Sequence, residues 1–327
     1  MVTWSASSSG ASASGTTSAS TGAQARLPTA VDAGLALTPP EGIDFTIPAL
    51  PTDAAFQEPA DKWWKSANPC PKGSVLKRIE NTIPKESRKQ NPNYDFDYTL
   101  LCHQQDGRIN GGGVTFWPDG KKMEEFYEKD GAKHGLKRAW YRGGKLKSTE
   151  YYDMNVQVGV EKYVFENGEI AFEGPFVAGK RHGLWIDGTD WGLAFRGYYV
   201  EGKKEGPWLG EAGGVTTFNV SYKKGLLDGH GEFFDFDRTV VAIGTFDKGA
   251  GTWTFYRKGV RAAEYTCSGE LLTAATWYDQ TGVVTETFSS AKPGDVIGFL
   301  SRQYEKDQVC RDEPILLIAS KLFGGHG

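Results

Sequence analysis

The chain has 327 residues, a formal net charge of -4 and 42 glycines. This acidic balance argues against a dedicated nucleic-acid-binding protein, which would normally be basic overall. The glycine content is nearly twice the usual share of roughly 7% and shows no collagen period, so the composition predicts many tight turns.

Residues 1–60 have the composition of a disordered tether. Every residue from Ser5 to Gly22 is Ser, Ala, Gly or Thr, which cannot bury enough apolar surface to offset chain entropy. Residues 23–60 continue with prolines and alanines, so we expect a semi-extended linker and no folded unit before about Trp63. No signal peptide is predicted, because no cationic stretch followed by an apolar one begins the sequence. The arm resembles the spacer that follows a lipoprotein anchor or a removed leader.

Residues 61–106 lie before the repeats described below and are predicted to form an N-terminal cap. They contain Cys70 and Cys102, whereas Cys267 and Cys310 lie near the other end of the chain. No C-x-x-C occurs, which excludes the usual redox and zinc-ribbon spacings, and three pairings are open. We expect the local one, which joins each flank to its end of the repeats and implies an oxidising compartment. Four unrelated buried thiols are the alternative.

Glycines recur with a regular spacing from residue 107 to residue 288. One column has steps of 22 to 24 residues and comprises Gly112, Gly135, Gly159, Gly183, Gly206, Gly229 and Gly251. A second column lies between them and comprises Gly120, Gly144, Gly168, Gly192, Gly214, Arg238, Gly259 and Gly282. Two interleaved turn columns with a common period predict one β-hairpin per repeat.

The turn residues support this interpretation. The dipeptides DG at 119–120, GG at 143–144 and NG at 167–168 are those that hairpins favour. A loop column four residues before the first glycine column carries Asn155 in place of glycine, and Asn tolerates positive φ. Since one hairpin alone is marginally stable, the units must stack. The predicted fold is mainly β: an elongated antiparallel meander of hairpin repeats, a solenoid-like single sheet with non-repeat caps.

Residues 289–327 are predicted to form a helical C-terminal cap. Asp295 is a candidate N-cap for one helix, and Pro314 stands at a first-turn position of another. The longest apolar run, PILLIASKLF, has about half the length needed to span a bilayer, so no transmembrane segment is predicted.

The repeat units resemble a known family. The spellings GKRHGLWIDG, GKKEGPWLGEAGG and GAGTWTFYRKG are similar to the bacterial variant of the MORN (membrane occupation and recognition nexus) repeat, some members of which are labelled antitoxin-like. The resemblance covers residues 107–288 and departs from the pattern at Arg238 and in the unit 156–179, which lacks the Trp. It implies a β-hairpin scaffold for contacts with proteins or, in some members, with lipids.

Cation pairs in the loops are a candidate binding surface. The pairs are Lys180 with Arg181, Lys203 with Lys204, and Lys223 with Lys224. Stacked in register, they would form a basic stripe suited to an acidic protein or anionic lipid. We favour the alternative, in which the turns are solvated and the lysines discourage unwanted strand pairing.

Four tryptophans follow column glycines within six residues and form a second candidate set. They are Trp140, Trp185, Trp208 and Trp253. Such a ladder usually fills a core. Exposed rings would instead indicate a module that cradles wall glycans.

No motif indicates catalysis or metal binding. His134 and His182 each precede a column glycine, but two repeats of stacked strands separate them by roughly 19 Å, too far for one metal ion. The adjacent Glu124 and Glu125 point to opposite faces of a strand and cannot act as a carboxylate pair. We expect no enzyme activity, no cofactor and no metal.

The predicted function is a non-enzymatic repeat scaffold that binds another protein, in the cell envelope or secreted. A wall-glycan or anionic-lipid binding module is one alternative. A cytoplasmic antitoxin-like inhibitor is the other.

Overall fold

The fold is an antiparallel sheet built from consecutive β-hairpins. The computed structural model describes residues 37–90, 95–190, 192–289 and 310. Within them, 21 strands belong to one sheet, and strands pair with neighbours along the chain. A short α-helix, α1, spans Lys85–Gln90. The predicted mainly-β hairpin fold is confirmed.

The strands are β1 (Ser74–Glu80), β2 (Tyr98–Gln104), β3 (Ile109–Phe116), β4 (Lys122–Lys129), β5 (Ala132–Lys133), β6 (Gly135–Trp140), β7 (Leu146–Asp153), β8 (Val156–Val164), β9 (Ile170–Val177), β10 (Lys180–Arg181) and β11 (Gly183–Gly188). They continue as β12 (Leu193–Val200), β13 (Lys203–Ala212), β14 (Val215–Lys223), β15 (Leu226–Leu227), β16 (Gly229–Phe234), β17 (Val240–Asp247), β18 (Ala250–Arg257), β19 (Val260–Ser268), β20 (Leu271–Tyr278) and β21 (Val284–Ser289). Two 3₁₀ turns, Ala54–Phe56 and Trp63–Lys65, precede them.

The described residues divide into two compact units. The first contains Asp44–Gly183 and Asp187–Asp190, and the second contains residues 37–43, Leu184–Ile186 and the residues from 192 onward. Both units carry the hairpin repeat, so they differ in side chains rather than in the kind of architecture.

Two kinds of turn alternate along the chain. At the loop column, both central residues have positive φ, as in Met154 (47°) and Asn155 (70°) between β7 and β8. This is type I′ geometry, which matches the twist of the strands. At the other column, a longer turn places a glycine such as Gly144 (φ 89°) in the left-handed region. Arg238 adopts the same conformation, with φ 62°.

The first glycine column lies inside strands, and its predicted place in turns was wrong. Gly135 begins β6, whereas the turn before it ends at Gly131. Between them, Ala132 and Lys133 already pair with β4. The physical reason is that a type I′ turn needs only two central residues, so the strand resumes at once. Gly135 marks an interruption within that strand, at φ 90°.

Backbone hydrogen bonds join consecutive turns. In the first unit, Gly179 N donates to Gln157 O at 2.9 Å, and in the second Gly249 N donates to Leu227 O at 2.7 Å. Each bond runs from the left-handed residue of one turn to a residue just after the preceding turn. The turns are therefore held in register with one another as well as by their strands.

Aromatic rings form the core of the second unit. Trp185, Trp208 and Trp253 are buried, with 0%, 1% and 0% of their surface exposed. The Trp208 ring lies on Gly197 of β12, and the Trp253 ring lies on Gly244 of β17. A side chain at either glycine would overlap the ring. These glycines weaken their strands intrinsically, but they allow a large apolar ring to pack flat on the neighbouring backbone.

The N-terminal flank differs from its predicted description. Residues 61–106, expected as a separate cap, contribute β1 and β2 to the sheet, because β2 pairs with both β1 and β3. Residues 37–60, expected as part of a tether, include the buried Ala55 and Phe56. The remainder of that tether, residues 1–36, lies outside the described residues.

Both predicted disulfides are formed. Cys70 is bonded to Cys102 and Cys267 to Cys310, and such bonds are typical of proteins that act outside the cytoplasm. The helical cap predicted for residues 289–327 lies outside the described residues, apart from Ser289 and Cys310.

Candidate interaction surfaces

The N-terminal segment, defined as residues 37–66, lies along the first glycine column. In the first unit, a Cβ atom built on Gly112 would lie 2.7 Å from the ring of Trp63. A Cβ on Gly159 would lie 2.7 Å from the side chain of Leu50. These glycines therefore provide the space in which the segment is seated.

The same relationship holds at two further glycines. At Gly135, the backbone carbonyl of Ala55 occupies the position that a side chain would take. In the second unit, Pro40 lies 2.5 Å from the Cβ position of Gly206. Both glycines also have positive φ, of 90° and 69°, which strains any other residue. Conformation and space together explain why these two positions are glycine.

Two histidines of the repeat hold the N-terminal segment. His134 is buried, its Nε2 atom lies 3.1 Å from Asp53 Oδ2, and its ring packs edge-on against Phe56. His182 Nε2 lies 2.9 Å from the backbone oxygen of Asp44. Within the described part of the chain, no cluster of His, Cys, Asp and Glu side chains could hold a metal ion.

A buried carboxylate also anchors the segment. Glu125 exposes 5% of its side chain and accepts hydrogen bonds from Arg138 (2.9 Å), Lys122 (3.4 Å) and the indole of Trp63 (2.9 Å). Arg138 in turn donates to Glu58 at 2.8 Å. Since a buried charge is costly unless it is paired and hydrogen-bonded, this network ties the segment to β4 and β6.

Gly135→Ala is expected to release part of the N-terminal segment. Gly144→Ala is the matched control, because the two glycines have φ of 90° and 89° but only Gly144 has no atom within 4 Å of its Cβ position. The left-handed conformation costs both variants roughly 1–2 kcal/mol. Urea unfolding should show a clearly larger loss for Gly135→Ala, together with faster proteolysis near Ala55. Equal losses would contradict the seating of the segment at Gly135.

The buried tryptophans are not available to a ligand at the surface. Trp185, Trp208 and Trp253 lie in the core, whereas the interpretation as a glycan cradle required exposed rings. Trp140 differs from them. It is half-buried, and Lys122 Nζ lies 4.4 Å from its ring centroid.

The predicted cation pairs are split between the core and the surface. Lys204 is buried, with Nζ lying 4.8 Å from the ring centroid of Trp208 and 5.1 Å from that of Tyr222. Arg181 is half-buried and lies 3.1 Å from Asp187. One member of each of these two pairs therefore packs on side chains instead of extending a surface stripe.

Carboxylates also lie at two of the cation-bearing turns. The exposed residues of the pairs are Lys180, Lys203, Lys223 and Lys224. In the second unit, Glu205 accepts a hydrogen bond from the backbone N–H of Lys224 at 2.7 Å, and Asp228 accepts one from the backbone N–H of Lys248 at 3.0 Å. This mixture of charges favours the solvated-turn interpretation over a continuous basic stripe.

Charged residues of the first unit take positions that tryptophan holds in the second. Trp208 follows its column glycine by two positions, as do Trp185 and Trp253. At the equivalent positions of the first unit stand Lys137, after Gly135, and Glu161, after Gly159. Two successive repeats thus carry an ionisable side chain where the pattern places a core ring.

These two residues belong to a charged row, defined as Glu124, Lys137, Glu150, Tyr152 and Glu161. Lys137 Nζ lies 3.0 Å from Glu124 and 3.9 Å from Glu150, which is directly opposite it in the β6–β7 pair. The Tyr152 hydroxyl donates to Glu150 at 2.7 Å. The side chains of Glu124, Lys137 and Glu150 expose 33%, 24% and 15%, so the row is reachable from solvent.

Burial and like charge shift the pKa values within the row. Partial burial, and then the neighbouring carboxylate of Glu150, raise the pKa of Glu161. Burial and the hydrogen bond to Glu150 raise the pKa of Tyr152. Burial opposes the charged form of Lys137, but the attraction of Glu124 and Glu150 outweighs it and raises the pKa of this lysine. The row therefore has more carboxylate charge than its one ammonium group neutralises.

Glu161→Gln is expected to stabilise the protein at neutral pH. Because the folded pKa of Glu161 is raised, its contribution to stability is fully present below its unfolded pKa, near 4.3, and is lost as pH rises through the folded value. The melting temperature of the variant should exceed that of the wild type at pH 7, and the difference should disappear in acid. A variant that is less stable at pH 7 would show that the charge of Glu161 supports the fold.

The charged row was not predicted from the sequence, although a signal was present. Trp140 stands five positions after Gly135, whereas the core rings stand two positions after their glycines. Aligning the repeats at this second position gives three tryptophans, Val114 and Gly231, and identifies Lys137 and Glu161 as the charged members. The unit 156–179 lacks the Trp, and the charged residue Glu161 stands at its position.

Comparison with known proteins adds no assignment. No protein-family model matches the chain, and no curated protein matches it significantly. Among the described residues, no helix has the length and apolar character needed to cross a bilayer.

Proposed function

We propose that the protein is a non-enzymatic scaffold of MORN-like hairpin repeats that binds another protein through the charged row of its first unit. The observation that carries this proposal is the presence of Lys137 and Glu161 at positions that are core tryptophans in the second unit. The other equivalent positions carry Val114 and Gly231, so these two are the charged members of the set, and departures from a local pattern are expected at functional sites.

The chemistry of the row indicates the kind of partner. Three carboxylates and one ammonium group lie together in a partly desolvated environment, which favours a cationic group on the binding protein. A guanidinium group is especially suitable, because it binds carboxylates with paired hydrogen bonds and is less strongly hydrated than an ammonium. The partner in this proposal therefore presents arginine or lysine side chains.

The two disulfides support a location in the cell envelope or outside the cell, where such bonds persist. They weigh against the cytoplasmic inhibitor. The mixed charges of the turns and the buried tryptophans weigh against anionic lipid and wall glycan as the principal ligands.

The test compares carboxylates on the two faces of the same region. Glu150→Gln and Glu161→Gln alter the charged row, whereas Glu173→Gln is the control, since Glu173 pairs with Lys162 on the opposite face. Each full-length variant is cross-linked in cells that make it, and the bound proteins are compared by mass spectrometry. We expect a protein that is captured by wild type and by Glu173→Gln and is lost from both row variants.

Retention of that protein by the row variants would overturn the proposal. So would its loss from all three variants, because the binding surface would then not be specific to the row. Melting temperatures are measured in parallel, and since Glu161→Gln is expected to be more stable, loss of binding cannot be ascribed to unfolding.

A further inference from the structure

Strand β1 is an edge of the sheet within the part of the chain that the structure describes. Its seven residues, Ser74–Glu80, pair with β2 on one side and with no described strand on the other. Two of its apolar side chains are largely exposed, Val75 at 60% and Ile79 at 47%. An edge strand of this kind is a template for pairing with another chain.

The backbone groups at this edge belong to alternate residues. The N–H of Asn81, just after β1, donates to the oxygen of Asp97 at 2.9 Å, on the side where β2 lies. Successive residues of a strand direct their N–H and C=O groups to opposite sides, so the groups of Ile79 also point toward β2. Those of Arg78 and Glu80 point away from β2 and are available for a further ladder.

We propose that β1 pairs with β1 of a second copy of this protein, antiparallel and with Ile79 at the two-fold axis. In such a pair, residues equally distant from the axis lie opposite each other. Arg78 of each copy then lies opposite Glu80 of the other, and their outward backbone groups form the hydrogen bonds. Ile79 lies opposite its own copy in a non-hydrogen-bonded pair, where side chains approach most closely.

The charges of β1 favour this axis over the others. If Lys77, Arg78 or Glu80 stood at the axis, that residue would lie opposite its own copy, and like charges directly opposite each other are destabilising. With any of the first three residues of the strand at the axis, no two opposite charges of β1 face each other. Ile79 at the axis pairs Arg78 with Glu80 twice and places Lys77 opposite the uncharged Asn81.

Arg78 and Glu80 are positioned for these contacts within one copy. The Arg78 guanidinium lies 3.5 Å from the centroid of the Tyr98 ring, and its Nε donates to the carboxylate of Glu80. The two side chains are still 50% and 60% exposed, so charges of a second copy can approach them. Pairing would join two such ion pairs into a cluster of four alternating charges.

The paired stretch is short, which sets the strength of the association. The chain turns after Asn81, whose side chain accepts a hydrogen bond from the N–H of Ile83 at 3.0 Å. Stable interfaces usually involve about 20–30 residues a side, so we expect a weak dimer whose population rises with protein concentration. The inference is independent of the proposed function, because the charged row begins on β4 and shares no residue with β1.

The first test traps the dimer with Ile79→Cys in the full chain. Facing residues of a non-hydrogen-bonded pair have Cα atoms about 4.5 Å apart, a distance that a disulfide can bridge. The four native cysteines are already paired and do not compete. Under mild oxidation we expect a covalent dimer on a non-reducing gel. Val75→Cys is the matched control, because it is on the same face and more exposed but would lie roughly 26 Å from its own copy.

The second test reverses charges in the Ile79→Cys protein. Arg78→Glu and Glu80→Arg each place like charges opposite each other, so each alone should lower the cross-linked fraction roughly fivefold or more. Mixing the two variants should restore it as a mixed dimer, in which every cation again faces an anion. Circular dichroism of each variant checks that the sheet is retained.

Three results would overturn the inference. One is the absence of a covalent dimer of Ile79→Cys at any protein concentration. Another is an equal yield from Val75→Cys, which would indicate random collision rather than a defined register. The third is cross-linking at position 79 that charge reversal does not lower and mixing does not restore, because the contact would then not use the Arg78–Glu80 pairs.

Discussion

Replacing Trp208 with alanine is expected to lower the free energy of unfolding by about 3–5 kcal/mol, the usual cost of removing a buried tryptophan. The ring is 1% exposed and packs edge-on against Tyr199 and Tyr222, at centroid distances of 5.2 and 6.2 Å. The loss includes the cavity above Gly197, since the backbone of an internal strand cannot collapse into it. Chemical denaturation followed by circular dichroism measures the change.

Trp140→Ala is the matched control for this prediction. Its ring is half-buried and carries the cation of Lys122 above it, so less apolar surface is lost on truncation. We expect a clearly smaller destabilisation than for Trp208→Ala. Equal losses of unfolding free energy in the two variants would contradict the assignment of Trp208 to the core and of Trp140 to a half-buried position.

Replacing Cys70 and Cys102 together with alanine is expected to cost about 3–4 kcal/mol in the chain-entropy account. The bond closes a loop with a sequence separation of 32, and Cys102 is fully buried in β2. The variant should denature at lower urea concentration than the wild type. Adding a reductant should then change the stability of the wild type more than that of the variant.

The outcome that would contradict this prediction is an unchanged unfolding midpoint in the variant under oxidising conditions. The flank would then be held by strand pairing alone, through the seven-residue register of β1 against β2. Equal stability of the variant and the wild type under reducing conditions would place the stabilisation in the bond, because both proteins then lack both disulfides.

The hairpin architecture could be predicted from the sequence because it depends on local residues. Glycine, or Asn155 in its place, occupies the second central position of the type I′ turns, where φ is positive, and this residue recurs at each repeat. The local disulfide pairing followed from the positions of the cysteines at the two ends of the repeats. Periodicity alone was therefore sufficient for strands, turns and their order.

The position of the N-terminal segment against the first glycine column could not be predicted in this way, because it depends on contacts between residues that are far apart in sequence. Leu50 and Gly159 are far apart in sequence, and a segment rich in Ala and Pro has too little apolar surface to fold by itself. The first glycine column was only partly informative about the turns. Its glycines lie within strands, and the turns lie four residues before them. Apolar side chains of the segment recur every five residues, as Phe45, Leu50 and Ala55 do, but this spacing matches neither the helical nor the strand period.

The five-residue spacing of the N-terminal segment constrains how this protein could change its number of repeats. In most repeat arrays, a unit can be duplicated or deleted alone, because each unit contacts only its neighbours. Here the hairpins at Gly135, Gly159 and Gly206 also meet portions of a second stretch of chain, which at Ala55 is 80 residues away in sequence. A duplicated hairpin would shift all later seats unless five residues were inserted in the segment at the same time. Gain or loss of repeats in this lineage should therefore be accompanied by paired length changes in two separated parts of the gene.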